Sequence, residues 1–469
     1  MLDIFTSKDQ TDPKDCISIY VCRPADWDEI RELLSESQKT YALAREFVGE
    51  QGQSVSLPDA EGQITHHLYG VGNEKGDVLN AVRLGGLSAT LNHGHYKLAY
   101  IPEDWDAALC AIGWGLGCYK FNRYLSSENS FPVLSLEEVH RPREASALVK
   151  AVHLGRDLIN TPAGDMGPDA LGKATQELAQ QYGADIRATI GEALMTENLP
   201  MIHAVGRAAH EAPRLVEFEW GNPAHPRLAL IGKGITFDTG GLNIKSASGA
   251  RIMKKDMGGA AHALSLASMI MENDLPIRLH VLIAIAENAI SAGAYRPGDI
   301  LTSREGLTVE IDNTDAEGRL VMADALSKAA EDEPVLMMDF ATLTGAARVA
   351  LGPTLPPFFS NREKPVSSVL AQARRQCDPV WHMPLWQPYI SMLSSPIADM
   401  KNAGGGFAGS VTAALFLEKF VKNVPWMHFD VYGWNPSTLP GHPKGGDMFA
   451  LRALYHWLKA GGLNSDFTV

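Results

Sequence analysis

The apolar stretch IRLHVLIAIA, residues 277–286, decides the fold. A long run of apolar residues, many of them β-branched, is typical of a strand buried between two layers of helices. Residues 258–272, just before it, have helical spacing, and residues 227–231 form a second short apolar run. The stretch therefore predicts an α/β domain built around a largely parallel or mixed central sheet.

Strands and helices continue to alternate outward from this stretch. We predict strands over 307–311, 335–340 and 426–432, and helices over 146–158, 320–331 and 411–421. The first part of the chain mixes a helix at 28–37, strands at 77–84 and 96–101, and a helix at 104–116. A Ser-, Glu- and Pro-rich connection over 125–144 separates the two parts. We predict domains 1–140 and 141–469, both α/β, the second with three layers and a mixed sheet.

The overall composition indicates an ordinary globular protein of 469 residues, with 45% hydrophobic and 20% charged residues. A formal net charge of −14 disfavours a general nucleic-acid binder, which needs a basic surface. The five cysteines have neither zinc-ribbon nor CxxC spacing, so we expect reduced thiols. We find no signal peptide and no apolar run long enough to span a bilayer, which favours the cytoplasm.

Three short segments place acids and lysines beside glycines at the ends of predicted strands, where open α/β sheets bind ligands. They are GKGITFDTGG at 232–241, MKKDMGGAA at 253–261 and NTDAEGRL at 313–320, with Lys245 between the first two. None fits a Walker A, GxGxxG, GxSxG or HExxH pattern.

Each segment alone has a plain structural interpretation. Asp256 could cap a helix, Asp315 and Glu317 could be first-turn acids, and Lys245 could be a surface lysine. Arg319 fits this interpretation poorly, because a cation in the first turn opposes the helix dipole.

Together, however, Asp238, Asp256, Asp315 and Glu317 form a set of acids that would repel one another unless cations neutralise them. Carboxylates of this kind suit a pair of divalent cations. The residues therefore predict a two-metal hydrolase, and leave peptide and phosphate chemistry both open.

The sequence resembles the leucyl aminopeptidase family, also called M17 metallopeptidases or cytosol aminopeptidases. The family's signature octapeptide stands unchanged at 313–320, supported by GKGITFD at 232–238 and DMGGAA at 256–261. RDLINTPA at 156–163, ATLTGA at 341–346 and KNAGG at 401–405 also match. The resemblance covers about 150 to 435 strongly and the first 140 residues weakly.

The resemblance implies a metal-dependent exopeptidase that removes N-terminal amino acids, leucine and others, with a macro-like N-terminal domain and a catalytic peptidase domain. It implies two divalent ions per subunit, Zn²⁺ or Mn²⁺, with the Asp238 and Glu317 side chains bridging them. Lys245 would stabilise the oxyanion, and Arg319 would hold a bicarbonate acting as general base. The metal ligands would be Lys233, Asp238, Asp256, Asp315 and Glu317, and the Asp315 backbone carbonyl would contribute as well. The substrate would contact Met253, Asn313, Thr342 and Leu343.

Lys233 could bind a metal only as a neutral amine, so the resemblance implies that adjacent cations lower its pKa. It also implies a homo-hexamer acting on peptides with a free N-terminus, with no membrane partner. The segment HPKGGDM at 442–448 departs from the family pattern, which leaves the preference for leucine open. Two other hypotheses are a DNA-binding architectural role, disfavoured by the acidic charge, and an inactive scaffold, disfavoured because every expected ligand is present.

Overall fold

The computed structural model describes residues 2–6, 15–72, 81–126, 131–137 and 139–467. The chain divides into two compact units, Met1–His153 with Ser437–Lys444, and Leu154–Pro436 with Gly445–Val469. Our domain boundary between residues 140 and 141 stays a prediction.

The first unit contains a six-stranded sheet in the order β1-β6-β5-β2-β4-β3, in which only β3 is antiparallel to its neighbour. The strands are β1 (Phe5–Thr6), β2 (Ile17–Cys22), β3 (Ser54–Pro58), β4 (Ile64–Gly70), β5 (Gly94–Tyr100) and β6 (Pro132–Ser135). The helices are α1 (Trp27–Glu32), α2 (Glu36–Ala44), α3 (Leu84–Ser88), α4 (Ala107–Gly117) and α5 (Pro142–Asn160), the last continuing into the second unit.

Three predictions for this unit were wrong in detail. The helix over 28–37 is two helices, because Ser35 caps a new one through a hydrogen bond from the Gln38 backbone N–H. Of the strand over 77–84, residues 77–80 lie outside the described residues, and Ala81–Arg83 form a 3-10 helix. The segment 125–144, predicted as a connection, contains β6, and all four residues of this strand are buried. The prediction missed the strand because its short apolar stretch is flanked by polar residues.

The second unit contains an eight-stranded sheet in the order β15-β14-β17-β13-β9-β10-β8-β7. Its four central strands are parallel and antiparallel pairings flank them, which confirms a mixed sheet. The eight strands are β7 (Asp185–Ile190), β8 (Arg214–Trp220), β9 (Arg227–Asp238), β10 (Arg278–Asn288), β13 (Leu336–Ala341), β14 (Pro357–Ser360), β15 (Trp381–His382) and β17 (Trp426–Asp430). A three-stranded sheet contains β11 (Ile300–Thr302), β12 (Thr308–Glu310) and β16 (Met400–Lys401), and a two-stranded sheet contains β18 (Trp434–Asn435) and β19 (Gly445–Gly446).

Helices cover both faces of this sheet, as the apolar run at 277–286 predicts. On one face, helices α8 (Pro200–Gly206), α11 (Gly318–Ala330) and α14 (Gly409–Glu418) share a hydrophobic core with alternate residues of β9 and β10. Helices α6 (Pro168–Gln181), α10 (Gly258–Glu272) and α15 (Leu451–Lys459) contribute no residue to this core. Helix α10 packs instead on β9 and β13, and α15 packs on α10. The helices are α6 (Pro168–Gln181), α7 (Ala193–Thr196), α8 (Pro200–Gly206), α9 (Ala247–Ala250), α10 (Gly258–Glu272), α11 (Gly318–Ala330), α12 (Gly345–Leu351), α13 (Lys364–Arg375), α14 (Gly409–Glu418), α15 (Leu451–Lys459) and α16 (Gly462–Ser465).

In the described part of the chain, no helix combines the length and the apolar character that crossing a bilayer requires. All five cysteines are buried and free of disulfides.

Candidate active site

The carboxyl ends of the central parallel strands bring the predicted acids and lysines together. Asp238 ends β9 and pairs in register with Asn288 at the end of β10. Asp315 and Glu317 lie just before α11, and Asp256 lies in a 3-10 helix, Met253–Met257, that leads into α10. The ends of the parallel strands β9 and β10 thus meet the segments that carry Asp256, Asp315 and Glu317, which are far apart in sequence.

Lys233 lies inside this cluster, almost fully buried on β9. Its Nζ is 2.8 Å from Asp256 Oδ2 and 2.8 Å from Glu317 Oε1, and donates a hydrogen bond of 3.0 Å to the Thr342 carbonyl. The close approach requires glycine at 318, because a Cβ there would lie 2.7 Å from Nζ.

Lys245 makes a second pair of contacts on the other side of the cluster. Its Nζ is 2.7 Å from Asp238 Oδ2 and also contacts Asp315 Oδ1. The Asp238 Oδ1 atom accepts 2.8 Å hydrogen bonds from the Gly240 N–H and from Asn288 Nδ2. Gly240 has a φ of +88°, a conformation that favours glycine, so the turn presents its N–H to the carboxylate.

The carboxylates are close enough to share cations. One oxygen each from Asp238, Asp315 and Glu317 lie within 4.8 Å of one another. Glu317 Oε2 is buried with no hydrogen-bond partner among the described residues. Burial and the Asp238 charge raise the pKa of Glu317 to about 8 and that of Asp315 to about 6. Buried oxygen donors that repel one another are the donor set that hard divalent cations take.

The lysines respond to the same charges. Burial lowers the pKa of Lys233, but Asp256, Glu317 and Asp238 outweigh it, and the protein groups alone leave that pKa raised. The pKa of Lys245 is raised for the same reason. The lowered pKa of Lys233 that the resemblance implies would therefore have to come from bound cations.

The capping interpretation of the acids does not hold. Helix α10 has Met257 at its N-cap position, and Asp256 Oδ1 instead accepts a 2.7 Å hydrogen bond from Thr342 Oγ1. Glu317 occupies the N-cap position of α11 but makes no capping hydrogen bond.

A cavity of about 420 Å³ opens onto the cluster. Nine of the predicted residues line it: Lys233, Asp238, Lys245, Met253, Asp256, Asp315, Glu317, Thr342 and Leu343. Asn313 and Arg319 are not among its lining residues. Asn313 Oδ1 accepts a 2.8 Å hydrogen bond from the Asp315 N–H, so it positions the Asp315 segment.

The Arg319 guanidinium is buried beside the cluster. Its Nε and Nη1 have no hydrogen-bond partner among the described residues, and its Cζ lies 5.8 Å from the Phe416 ring centre. Burial lowers the pKa of Arg319 to about 10. A buried cation with free donors is suited to an anion.

The structure adds residues that the sequence reasoning missed. Asn288 donates to Asp238 and, at 3.1 Å, to the Thr314 carbonyl. Its signal was its place as the polar residue that ends the long apolar strand. Lys255, Arg348 and Tyr432 also line the cavity, and nothing in the sequence pattern singles them out.

Fold and site together define a class: an α/β protein with a buried carboxylate and lysine centre suited to divalent cations. Among known proteins, the catalytic-domain model of the cytosol aminopeptidase family matches residues 153–455, and the M17 aminopeptidase N-terminal domain matches residues 18–137. The chain belongs to the cytosol aminopeptidase family, M17. It is therefore an aminopeptidase, a hydrolase of a metal-dependent family.

Individual relatives agree with this assignment. A probable cytosol aminopeptidase of Syntrophotalea carbinolica is 37% identical over 447 residues, covering 89% of this chain and 90% of the relative. The crystal structure of a cytosol aminopeptidase from Coxiella burnetii is 40% identical with a TM-score of 0.92, covering 98% of this chain and 99% of that one. The bottromycin maturation enzyme BotP in complex with Mn is 31% identical with a TM-score of 0.85, covering 95% and 99%.

Proposed function

We propose that the protein hydrolyses the peptide bond after the N-terminal residue of peptides, leucine and others, with a water activated by two divalent cations. Lys233, Asp238, Asp256, Asp315 and Glu317 are the residues that would hold the cations. The observation that carries the proposal is the set of three carboxylate oxygens within 4.8 Å of one another.

Two features of the carboxylate cluster favour the binding of cations. Glu317 Oε2 is a buried acceptor with no donor in the described structure, and burial leaves the Glu317 and Asp315 carboxylates with raised pKa values. When bound, a pair of divalent cations lowers the pKa of a shared water and holds the substrate α-amine. We propose Zn²⁺ or Mn²⁺; Mn accompanies BotP in its solved structure.

The chain's own groups would then do the following work. Lys245, whose ammonium carries two carboxylate contacts at the cavity wall, donates to the scissile carbonyl oxygen and stabilises the developing oxyanion. Lys233 and Asn288 hold the Glu317 and Asp238 carboxylates in place. Met253, Asn313, Thr342 and Leu343 are the proposed substrate-binding residues; three of them line the cavity.

We also propose that Arg319 would hold a bicarbonate, which would supply the general base of the reaction. Two buried nitrogens of the Arg319 guanidinium, Nε and Nη1, have no partner among the described residues, which supports this, since a planar guanidinium matches a planar oxyanion.

A panel of aminoacyl-p-nitroanilides tests the function. The protein is stripped of metal with a chelator, then assayed after adding back Mn²⁺, Zn²⁺, Co²⁺ or Mg²⁺ one at a time. We expect no turnover without metal, and we expect Mn²⁺ or Zn²⁺ to restore it. Substrates with an acetylated N-terminus should not be hydrolysed even in the presence of metal. Full activity of the stripped protein would contradict the proposal.

Four further expectations concern the domains, the oligomeric state, the location and the partners of the protein. We propose domains 1–140 and 141–469, a homo-hexamer, and a cytoplasmic location, which the relatives' name and the lack of disulfides among the five cysteines support. Native mass spectrometry tests the hexamer, and a gel shift at physiological salt tests the expectation that nucleic acid is not bound.

A further inference from the structure

A cationic wall lines one side of the cavity and takes no part in the metal cluster. Lys255 Nζ lies 4.7 Å from the centre of the Tyr432 ring, and Arg348 Cζ lies 5.4 Å from the same ring. Arg348 Nη1 also donates a 3.3 Å hydrogen bond to the Tyr432 hydroxyl. All three residues line the cavity that contains the candidate active site.

Lys255 differs from the other two lysines of the cavity in that no carboxylate contacts its ammonium directly, although the charges of Asp256 and Asp430 act on it. Lys233 and Lys245 each contact two carboxylates, whereas the Lys255 ammonium makes no hydrogen bond or ion pair with any residue that the structure describes. Yet only 5% of Lys255 is exposed. Burying an ammonium without a partner is costly, and a neutral phenol ring offsets part of that cost.

We propose that Lys255 and Arg348 form a subsite for a substrate carboxylate, that of an acidic first residue, Glu or Asp. The inference rests on the proposed function and names its substrate class. A carboxylate would supply the acceptors that the Lys255 ammonium lacks, and the Arg348 guanidinium, whose described contacts are all with Tyr432, would supply a second charged donor.

The position of Lys255 assigns this carboxylate to the first residue of the substrate. Lys255 directly precedes Asp256, a proposed ligand of the centre that would hold the substrate α-amine, and follows Met253 by two residues on the same 3-10 helix. The first side chain is attached to the carbon that bears this amine, so it starts beside Lys255. A leucine side chain there would leave the ammonium without an acceptor.

The test compares glutamyl- and leucyl-p-nitroanilide on the Mn²⁺-loaded enzyme and on three variants. We expect the native enzyme to have the higher kcat/KM for the glutamyl substrate. Lys255→Met and Arg348→Met should each lower the glutamyl-to-leucyl ratio of kcat/KM about 10- to 100-fold, the range of one hydrogen bond between charged groups. Arg348 lies at an exposed position, so its variant tests the idea even if Lys255→Met folds poorly.

Lys254→Met is the matched control. Lys254 donates to the Asn160 carbonyl and lies 5.7 Å from the Trp434 ring, and it does not line the cavity, so its ratio should match that of the native enzyme. An unchanged ratio in both Lys255→Met and Arg348→Met would overturn the subsite. So would a loss confined to a substrate carboxylate beyond the scissile bond, seen by comparing Leu-Leu with Leu-Leu-amide. If neither p-nitroanilide is hydrolysed, the proposed function itself fails.

Discussion

Gly318→Ala is expected to separate activity from stability in this protein. Gly318 opens α11, and an added Cβ would lie 2.7 Å from both Cε and Nζ of Lys233. Contacts of a Cβ below 3.0 Å essentially never occur and ordinary contact begins at 3.4 Å, so the amine must move by 0.3 Å and reaches ordinary contact after 0.7 Å, the differences between these distances. That shift would lengthen the 2.8 Å contacts of Lys233 with Asp256 and Glu317 and displace its amine within the centre.

The two effects have different sizes. A misplacement of about 1 Å in a catalytic centre can cost on the order of 10²-fold in rate, so we expect kcat to fall by that order. The atoms that must yield are the flexible end of a lysine rather than backbone, and alanine is favoured over glycine in a helix by about 0.5–1 kcal/mol. The free energy of unfolding should therefore change by no more than about 1 kcal/mol.

Turnover of leucyl-p-nitroanilide with saturating Mn²⁺ and urea denaturation measure the two quantities on the same preparation. Gly164→Ala is the control, because an added Cβ there has no atom within 4 Å, and its activity should match that of the native enzyme. Native turnover in Gly318→Ala would refute the placement of Lys233 in the centre. A large loss of stability would show that the backbone, not the lysine, had yielded.

Three more variants test separate parts of the site. Lys245→Ala should lower kcat on leucine amides about 10²- to 10³-fold, as loss of an oxyanion donor does, and near-normal turnover would disprove that role. Asn288→Leu removes the donor to Asp238 Oδ1 and should weaken Mn²⁺ binding about 10- to 100-fold in calorimetric titration; unchanged affinity would count against it. Arg319→Met should abolish stimulation by bicarbonate added to CO₂-free buffer, and a variant that still responds would exclude Arg319 as the bicarbonate site.

Much of the second unit could be predicted because its signals are local. The apolar run at 277–286 is long enough to exclude an exposed strand, and β10 indeed spans Arg278–Asn288 between helix layers. Predicted boundaries elsewhere differ by a few residues, as with α11, which begins at Gly318 rather than at 320. The strand at 227–231 was too short, because its apolar pattern gives way to the glycines of GKG while the backbone continues to Asp238.

The first unit was harder to predict because its elements are short and its flanks are polar. Strand β6 has four residues, and the Ser and Glu residues around it made the whole segment look like a connection. Residues 28–37 have the spacing of a single helix, but the Ser35 hydroxyl caps a second helix that begins at Glu36. Such breaks depend on one hydrogen bond rather than on composition.

In the site, local sequence indicated the proposed ligands but not the residues that contact and position them. Asn288 lies 50 residues from Asp238, and only the pairing of parallel strands β9 and β10 makes them neighbours. The same holds for Lys255, Arg348 and Tyr432, which come from three segments and meet at one ring. Metal-binding residues form a recognisable sequence pattern because the chemistry fixes their types. Residues that select a substrate side chain need only place a charge on the wall of the cavity, and many sequences can do that. For this reason the reaction could be inferred from sequence, and the preferred substrate has to be inferred from the structure.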